Sequence, residues 1–180
     1  MILIMLPSLF DSLQSLPGRW QRVEAGGILF SRSETVRSMY CLSSGEVHLS
    51  RTTADGSEVV MQRCINGMII ADASLFASTY HCDAHAVSPA SVYRISKRTF
   101  KRHLSQSNEM LLDWCSSSSS EIQTLRMRNE ILRMRTVRAR LDAWLLWQNT
   151  LLPPKGQWLS IAHEIGVSPE ALYREIARRT

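Results

Sequence analysis

From about residue 23 to residue 96, apolar and polar positions alternate in short runs, each closed by a turn signal. Val47, Leu49 and Arg51 alternate with Glu46, His48 and Ser50, the period-two pattern of a strand with one buried face. Runs at 28–30, 39–42, 46–52, 58–65, 80–87 and 91–95 read as strands. Between them lie Gly26-Gly27, Ser43-Ser44-Gly45, Ala54-Asp55-Gly56-Ser57, Asn66-Gly67 and Ser88-Pro89. Asp-Gly and Asn-Gly pairs adopt the positive φ angles that tight hairpins need. Regular short strands with such turns predict a closed or rolled antiparallel β structure.

After Ser96 the period lengthens to that of a helix. Residues 97–104 predict a short helix capped by Ser96, and Asn108 is placed to cap a second one. Residues 109–135 contain neither Gly nor Pro. Within them Ser118, Ile122, Leu125, Asn129 and Leu132 follow the 4-3-4-3 spacing of a coiled-coil seam, with a polar Asn that fixes register. The stripe would serve equally to pack on the protein's own sheet. Arg126, Arg128, Arg133 and Arg135 leave only a narrow apolar face, which favours pairing of two copies. Thr136 then caps a further helix, with Val137, Leu141, Trp144 and Leu145 inward, and Pro153-Pro154-Lys155-Gly156 breaks it off.

The final segment carries the most specific pattern. Leu159, Ile161, Ala162 and Ile165 predict the apolar face of a short helix, and Gly166 ends it with a positive φ. Val167 plugs the turn, Ser168 caps the next helix, Pro169 suits its first position, and Leu172 and Ile176 face inward. A small residue, Gly four later and apolar residues one and six beyond the Gly make a helix-turn-helix pattern. In such a motif the second helix enters the major groove. Glu170 and Arg174 would then meet base edges, and Ser168, Pro169, Tyr173 and Arg178 the backbone around them. Glu170 and Arg174 are also four apart, so a surface salt bridge is their other reading.

Composition narrows this picture. The 180 residues are 44% hydrophobic and 21% charged, so a folded core is expected rather than disorder. Net charge is +5, but residues 1–120 hold 11 Lys/Arg against 10 Asp/Glu, and residues 121–180 hold 10 against 6. The basic end points to a polyanion such as double-stranded DNA. The apolar run 1–6 stops at Pro7, too short for a membrane span and unlike a leader, so a cytoplasmic protein with no membrane partner is expected. Cys41, Cys64, Cys82 and Cys115 form no Cys-x-x-Cys pair, which argues against a cysteine-only zinc or iron–sulfur site.

The order of parts, an α+β chain with an N-terminal antiparallel β-roll, a long dimerisation helix and a C-terminal helix-turn-helix, resembles the cyclic-AMP receptor protein/FNR (CRP/FNR) family of bacterial regulators. The residues that carry the resemblance are Gly27-Ile28-Leu29-Phe30, Met39-Tyr40, Ser44-Gly45-Glu46-Val47, 55–60, Asn66-Gly67, Ser74-Leu75-Phe76, and Gly166-Val167-Ser168 through Arg174. It implies a sensor domain over 1–108, a dimerisation helix over 109–135 and a DNA-binding domain over 136–180. It also implies a homodimer, an effector pocket about Asp72, Ser74, Cys82 and Asp83, and RNA polymerase as a further partner.

Two departures qualify the resemblance. Cyclic-nucleotide binders of the family show Gly-Glu-Leu before Ser-Leu-Phe and Arg-Ser-Ala or Arg-Thr-Ala after it. Here Ala71-Asp72-Ala73 and Cys82-Asp83-Ala84 stand instead, so the phosphate loses its Arg and meets Asp83. A regulator independent of cAMP is expected, with no cofactor and an effector of unknown chemistry. The chain also stops at Thr180, so the usual β-hairpin wing is expected to be missing or truncated. That motivates the alternative of an effector-sensing, dimerising module that has lost DNA recognition. His81, Asp83 and His85 would share one strand face and suit a metal, with Cys or His as haem ligands, although the same spacing describes a plain polar face. Asp72 and Asp83 lack a nearby nucleophile or phosphate loop, so no enzyme is expected.

Overall fold

The computed structural model describes residues 7–179. The apolar run 1–6 and Thr180 lie outside the described residues. The chain divides into two compact units that meet in sequence near residue 118, inside one long helix.

In the first unit a short helix α1 (Pro7–Gln14) leads into eight strands: β1 (Gly18–Val23), β2 (Ile28–Phe30), β3 (Ser38–Ser44), β4 (Val47–Thr52), β5 (Glu58–Cys64), β6 (Ile69–Ile70), β7 (Asp83–Ala86) and β8 (Ala90–Ser96). They form two four-stranded antiparallel sheets, ordered β1-β8-β3-β6 and β2-β7-β4-β5. Between the sheets lies a core that includes Phe30, Leu42, Val47, Leu49, Cys82, Ala84, Ala86 and Val92. The alternation expected along 81–87 holds: Cys82, Ala84 and Ala86 are buried, whereas His81, Asp83 and His85 are half-exposed.

The strands depart from the period-two reading in three places. The strand expected from residue 80 starts only at Asp83, because Tyr80 is claimed elsewhere. Its amide donates to the Glu34 carbonyl at 2.9 Å, its hydroxyl donates to the Ser38 carbonyl at 2.7 Å, and its ring stacks on Phe30 at 3.8 Å. The β4–β5 register shifts between Leu49 and Ser50, a bulge that leaves Met61 of β5 unpaired, and beside it Ser50 is buried instead of exposed. Finally, β1 pairs with β8 over six residues in a stretch whose sequence shows no alternation, since Gln21 and Arg19 lie on its inward side.

The outer face of the first sheet is covered by helices. Met39, Cys41, Tyr93 and Ile95 pack with Leu13 of α1, with Leu16 just after it, and with Phe100 and Leu104 of α2 (Lys97–Gln106). Ser96 caps α2 as expected, its hydroxyl accepting from the Thr99 amide at 3.0 Å. The long helix α3 (Asn108–Arg133) is capped by Ser107 rather than Asn108: the Ser107 hydroxyl accepts from the Met110 amide at 3.2 Å, and Asn108 already lies inside the helix.

The second unit combines the rest of α3 with α4 (Val137–Gln148), α5 (Trp158–Glu164) and α6 (Pro169–Ala177). Its core is Ile131, Leu141, Trp144, Ile161, Ala162, Ile165, Leu172 and Ile176. Thr136 caps α4 through the Ala139 amide at 3.1 Å. Leu159 does not join the expected apolar face and is 51% exposed. Trp158, Ile161, Ala162 and Ile165, at i, i+3, i+4 and i+7, already fill that face, and Leu159 is rotated off it. No helix among the described residues is long and apolar enough to cross a membrane.

Candidate functional site

In the second unit, α5 and α6 are joined by a turn at Gly166, whose φ is +65°. The Val167 amide donates to the Ala162 carbonyl at 3.0 Å, which closes the end of α5. Ala162 and Leu172, both fully buried, meet in the core between the helices. Ser168 caps α6 by accepting from the Ala171 amide at 3.2 Å, with Pro169 in the first turn. Leu172 and Ile176 face inward, and Glu170, Tyr173, Arg174 and Arg178 are exposed.

The electrostatics of this helix start are defined by short-range contacts. The Glu170 backbone amide, then the Ser168 hydroxyl and then the Arg174 charge hold the Glu170 carboxyl below the usual carboxylate range. Tyr173 has a second engagement that the sequence did not reveal: its ring packs on Trp158 at 5.6 Å. Arg179 is spoken for, with its guanidinium on Asp142 at 2.6 Å and Glu175 at 3.1 Å, which ties the end of α6 to α4. Arg174 and Arg178 are therefore the exposed cations that α6 offers to a partner.

Arg140, absent from the sequence reading, organises the same region. It donates to four carbonyl oxygens: Met134 at 2.9 Å, Leu132 at 2.9 Å, Ile165 at 3.0 Å and Gly166 at 2.8 Å. The Arg thereby ends α3 at Arg133 and fixes the α5–α6 turn. The available signal was an Arg on the side of α4 next to Leu141, too little to separate it from a solvated charge.

Along α3 the five seam positions avoid the core. Ile122, Leu125 and Leu132 are 48%, 54% and 45% exposed, Asn129 is exposed, and Ser118 is half-buried. Ile131 turns the other way, into the core of the second unit. The helix therefore has one apolar side used internally and one left open.

In the first unit the four expected effector-pocket residues have distinct environments. Ala71 holds a left-handed conformation, φ +69°, ahead of a single helical turn over 72–74. One Asp72 carboxylate oxygen accepts from the Ala73 amide at 2.8 Å. Ser74 is buried and its hydroxyl meets His81 Nδ1 at 3.2 Å. Cys82 is buried in the core; burial pushes its thiol pKa up, Arg51 pulls it down, and Asp83 and Asp72 push it up again. Asp83 accepts from the Arg32 amide at 2.8 Å.

Arg51 is the residue missed here. It reaches from β4 to donate through Nε to the His81 carbonyl at 2.7 Å, beside Cys82. Its signal was present, since an Arg in register with inward Val47 and Leu49 is anomalous. His81, Asp83 and His85 do not converge: His81 meets Ser74, Asp83 meets Arg32, and His85 lies 3.6 Å from Glu58. No group of three or more His, Cys, Asp or Glu among the described residues is arranged to hold a metal.

Comparison with known proteins places these observations. Residues 20–107 match the cyclic nucleotide-binding domain family. A protein of Silicibacter pomeroyi DSS-3 described as a cAMP-binding regulatory protein is 27% identical, with a TM-score of 0.59, over 93% of this chain and 78% of its own. FixK2 from Bradyrhizobium japonicum (15% identity, TM-score 0.66) aligns over 91% of this chain and 84% of its own. A transcriptional regulator of the CRP family from Thermus thermophilus (20% identity, TM-score 0.57) aligns over 88% and 83%. The last two show the shared fold. A search among curated proteins gave no match. The antiparallel jelly roll with its following helices is thus the fold that this chain shares with these regulators, and its residues 20–107 match the cyclic nucleotide-binding domain.

Proposed function

We propose that this protein is a homodimeric, sequence-specific DNA-binding transcription regulator that acts without cAMP. The observation that carries the reading is the two-sided helix α6: Leu172 and Ile176 anchor it, while Glu170, Arg174 and Arg178 stand exposed on a capped, Gly-turned second helix. That is the design of a helix-turn-helix whose recognition helix enters the major groove. Arg174 would pair with guanine and Arg178 with phosphate. The open Ile122, Leu125, Asn129 and Leu132 stripe supplies the dimer seam, with Asn129 setting its register.

Independence from cAMP rests on the Ala71–Ser74 turn. The Ala73 amide is already taken by the chain's own Asp72 carboxylate and is not free to donate to an anion. The Arg of cyclic-nucleotide binders is replaced by buried Cys82, and the charge of Arg51 beside it is offset by Asp72 and Asp83. An anion would be repelled at this place.

Selection from random DNA duplexes with the whole chain tests the proposal. The expected result is an enriched motif with two-fold symmetry, bound with unchanged affinity when cAMP is added, together with a dimer mass in native mass spectrometry. Failure to enrich any motif at low salt overturns the DNA reading in favour of a sensing and dimerising module.

A further inference from the structure

A cleft of about 340 Å³ opens in the roll between the inner face of β1, β3 and β8 and the segment that follows β2. It is lined by Gln21, Tyr40, Tyr80 and Arg94, with Glu34 and Arg37 exposed at its rim. None of Asp72, Ser74, Cys82 or Asp83 borders it. Its volume falls within the range of small-molecule sites.

Strand register places the polar groups together. Tyr40 lies opposite Arg94, and Leu42 opposite Val92, which in turn is opposite Gln21, so all five share the face that also carries core residues Leu42 and Val92. An Arg and a Gln at such positions need a reason. Arg94 is fixed in place: Nε donates to the Ser38 hydroxyl at 2.8 Å, and the guanidinium sits over the Tyr40 ring at 5.8 Å. The rest of its fork has no protein acceptor among the described residues. Gln21 Oε1 is buried and accepts no hydrogen bond, a condition that folded proteins rarely tolerate.

The neighbouring hydroxyls do not relieve Gln21. Tyr80 donates to the Ser38 carbonyl and Tyr40 to the Leu29 carbonyl. Phe30 stacks against both tyrosine rings and stiffens that wall. A cationic donor fixed in place and an unfilled amide acceptor, on one sheet face and lining one cleft, call for an occupant with the complementary groups.

We propose that this cleft binds a small carboxylate that also bears a hydroxyl or amino hydrogen-bond donor, with the carboxylate on Arg94 and the donor on Gln21. The site lies wholly in the first unit, and its chemistry does not depend on the proposed DNA contacts.

Calorimetric titration of the whole protein with L-malate, L-glutamate and succinate tests it. L-Malate or L-glutamate should bind once per chain, and succinate, which lacks the donor, at least about tenfold more weakly. Arg94→Gln should abolish binding. Gln21→Leu, which leaves the arginine in place, should bring L-malate and succinate to equal affinity, with circular dichroism confirming the fold of both variants. Should neither donor-bearing acid bind at millimolar concentration, or should binding survive Arg94→Gln in a folded protein, the proposal fails. Equal affinity for L-malate and succinate in the unaltered protein would also overturn it.

Discussion

The Arg140 guanidinium holds the Gly166 carbonyl oxygen at 2.8 Å, and the same side chain reaches the carbonyls of Ile165, Leu132 and Met134. One cation thus joins the end of α3 to the turn that aims α6. Hydrogen bonds to a charged group contribute about 1.5–3 kcal/mol each, less where solvent competes, so Arg140→Ala should lower stability by about 2–4 kcal/mol in total. Arg140→Lys should recover less than half of that, since an ammonium cannot serve four carbonyls spread over two segments. Urea unfolding of the two variants checks both values. Full recovery by Lys would mean that charge matters and the fork geometry does not.

Two left-handed positions should respond to mutation with opposite signs. At Gly166 (φ +65°) a Cβ would meet Leu132 Cδ2 at 2.5 Å, in addition to the strain of the backbone itself. Gly166→Ala is expected to cost about 1–2 kcal/mol. At Ala71 (φ +69°) the strain is already present, so Ala71→Gly should raise stability by up to about 1 kcal/mol. Melting temperatures that fall for the first and rise for the second agree with this account. A fall for both would show that Ala71 is held comfortably by its surroundings.

Much of this architecture was legible because burial on one side leaves a period in the sequence. Val47 and Leu49, the Asp55-Gly56 and Asn66-Gly67 turns, and the Ser96, Thr136 and Ser168 caps all stand where their local chemistry predicts. The local reading failed where tertiary contacts decide. Tyr80 was drawn off its strand by Phe30 and Ser38, Ser50 is buried beside a bulge of the neighbouring strand β5, and Leu159 lost its place to Trp158. The same holds for the candidate functional side chains. The exposed face of α6 follows from helical spacing, whereas Arg140, Arg51 and the Gln21–Arg94 pair depend on partners remote in sequence.

If Arg174 reads a base and Arg178 a phosphate, their removal should have different signatures. Arg174→Ala should relax preference at one position of each half-site by about 1–3 kcal/mol. Arg178→Ala should weaken binding evenly across sequences and reduce the salt slope by about 1. Mobility shifts on matched and single-mismatch duplexes at several salt concentrations separate the two. Identical behaviour of the variants would remove the distinction between base and backbone contacts on α6.

The thiols should sort by burial. Cys41, Cys64 and Cys82 are enclosed, and burial pushes the Cys41 pKa up to about 12, so little thiolate forms at neutral pH. Cys115, on α3, is exposed. Mass spectrometry after brief maleimide treatment should find one adduct on the native protein, at Cys115, and four after denaturation. Rapid native labelling of Cys82 would mean that the roll opens beside Asp83 far more readily than its packing suggests.

The β4–β5 hairpin should carry a pH-dependent share of stability. The Thr53 hydroxyl, then the Ser57 amide and hydroxyl, hold the Asp55 carboxylate, and together they draw its pKa below the ordinary value. A carboxyl more acidic in the folded than in the unfolded chain stabilises the fold above its unfolded pKa, and that contribution disappears as pH falls through the folded one. Asp55→Asn should therefore be less stable than the parent at neutral pH, and the gap should close as the solution is acidified past the carboxylate range. Because the group is fully exposed, the difference will be small and best read from a side-chain NMR titration alongside the unfolding curves. A titration midpoint for Asp55 at or above that of an unstructured aspartate would contradict the hydrogen-bonded turn.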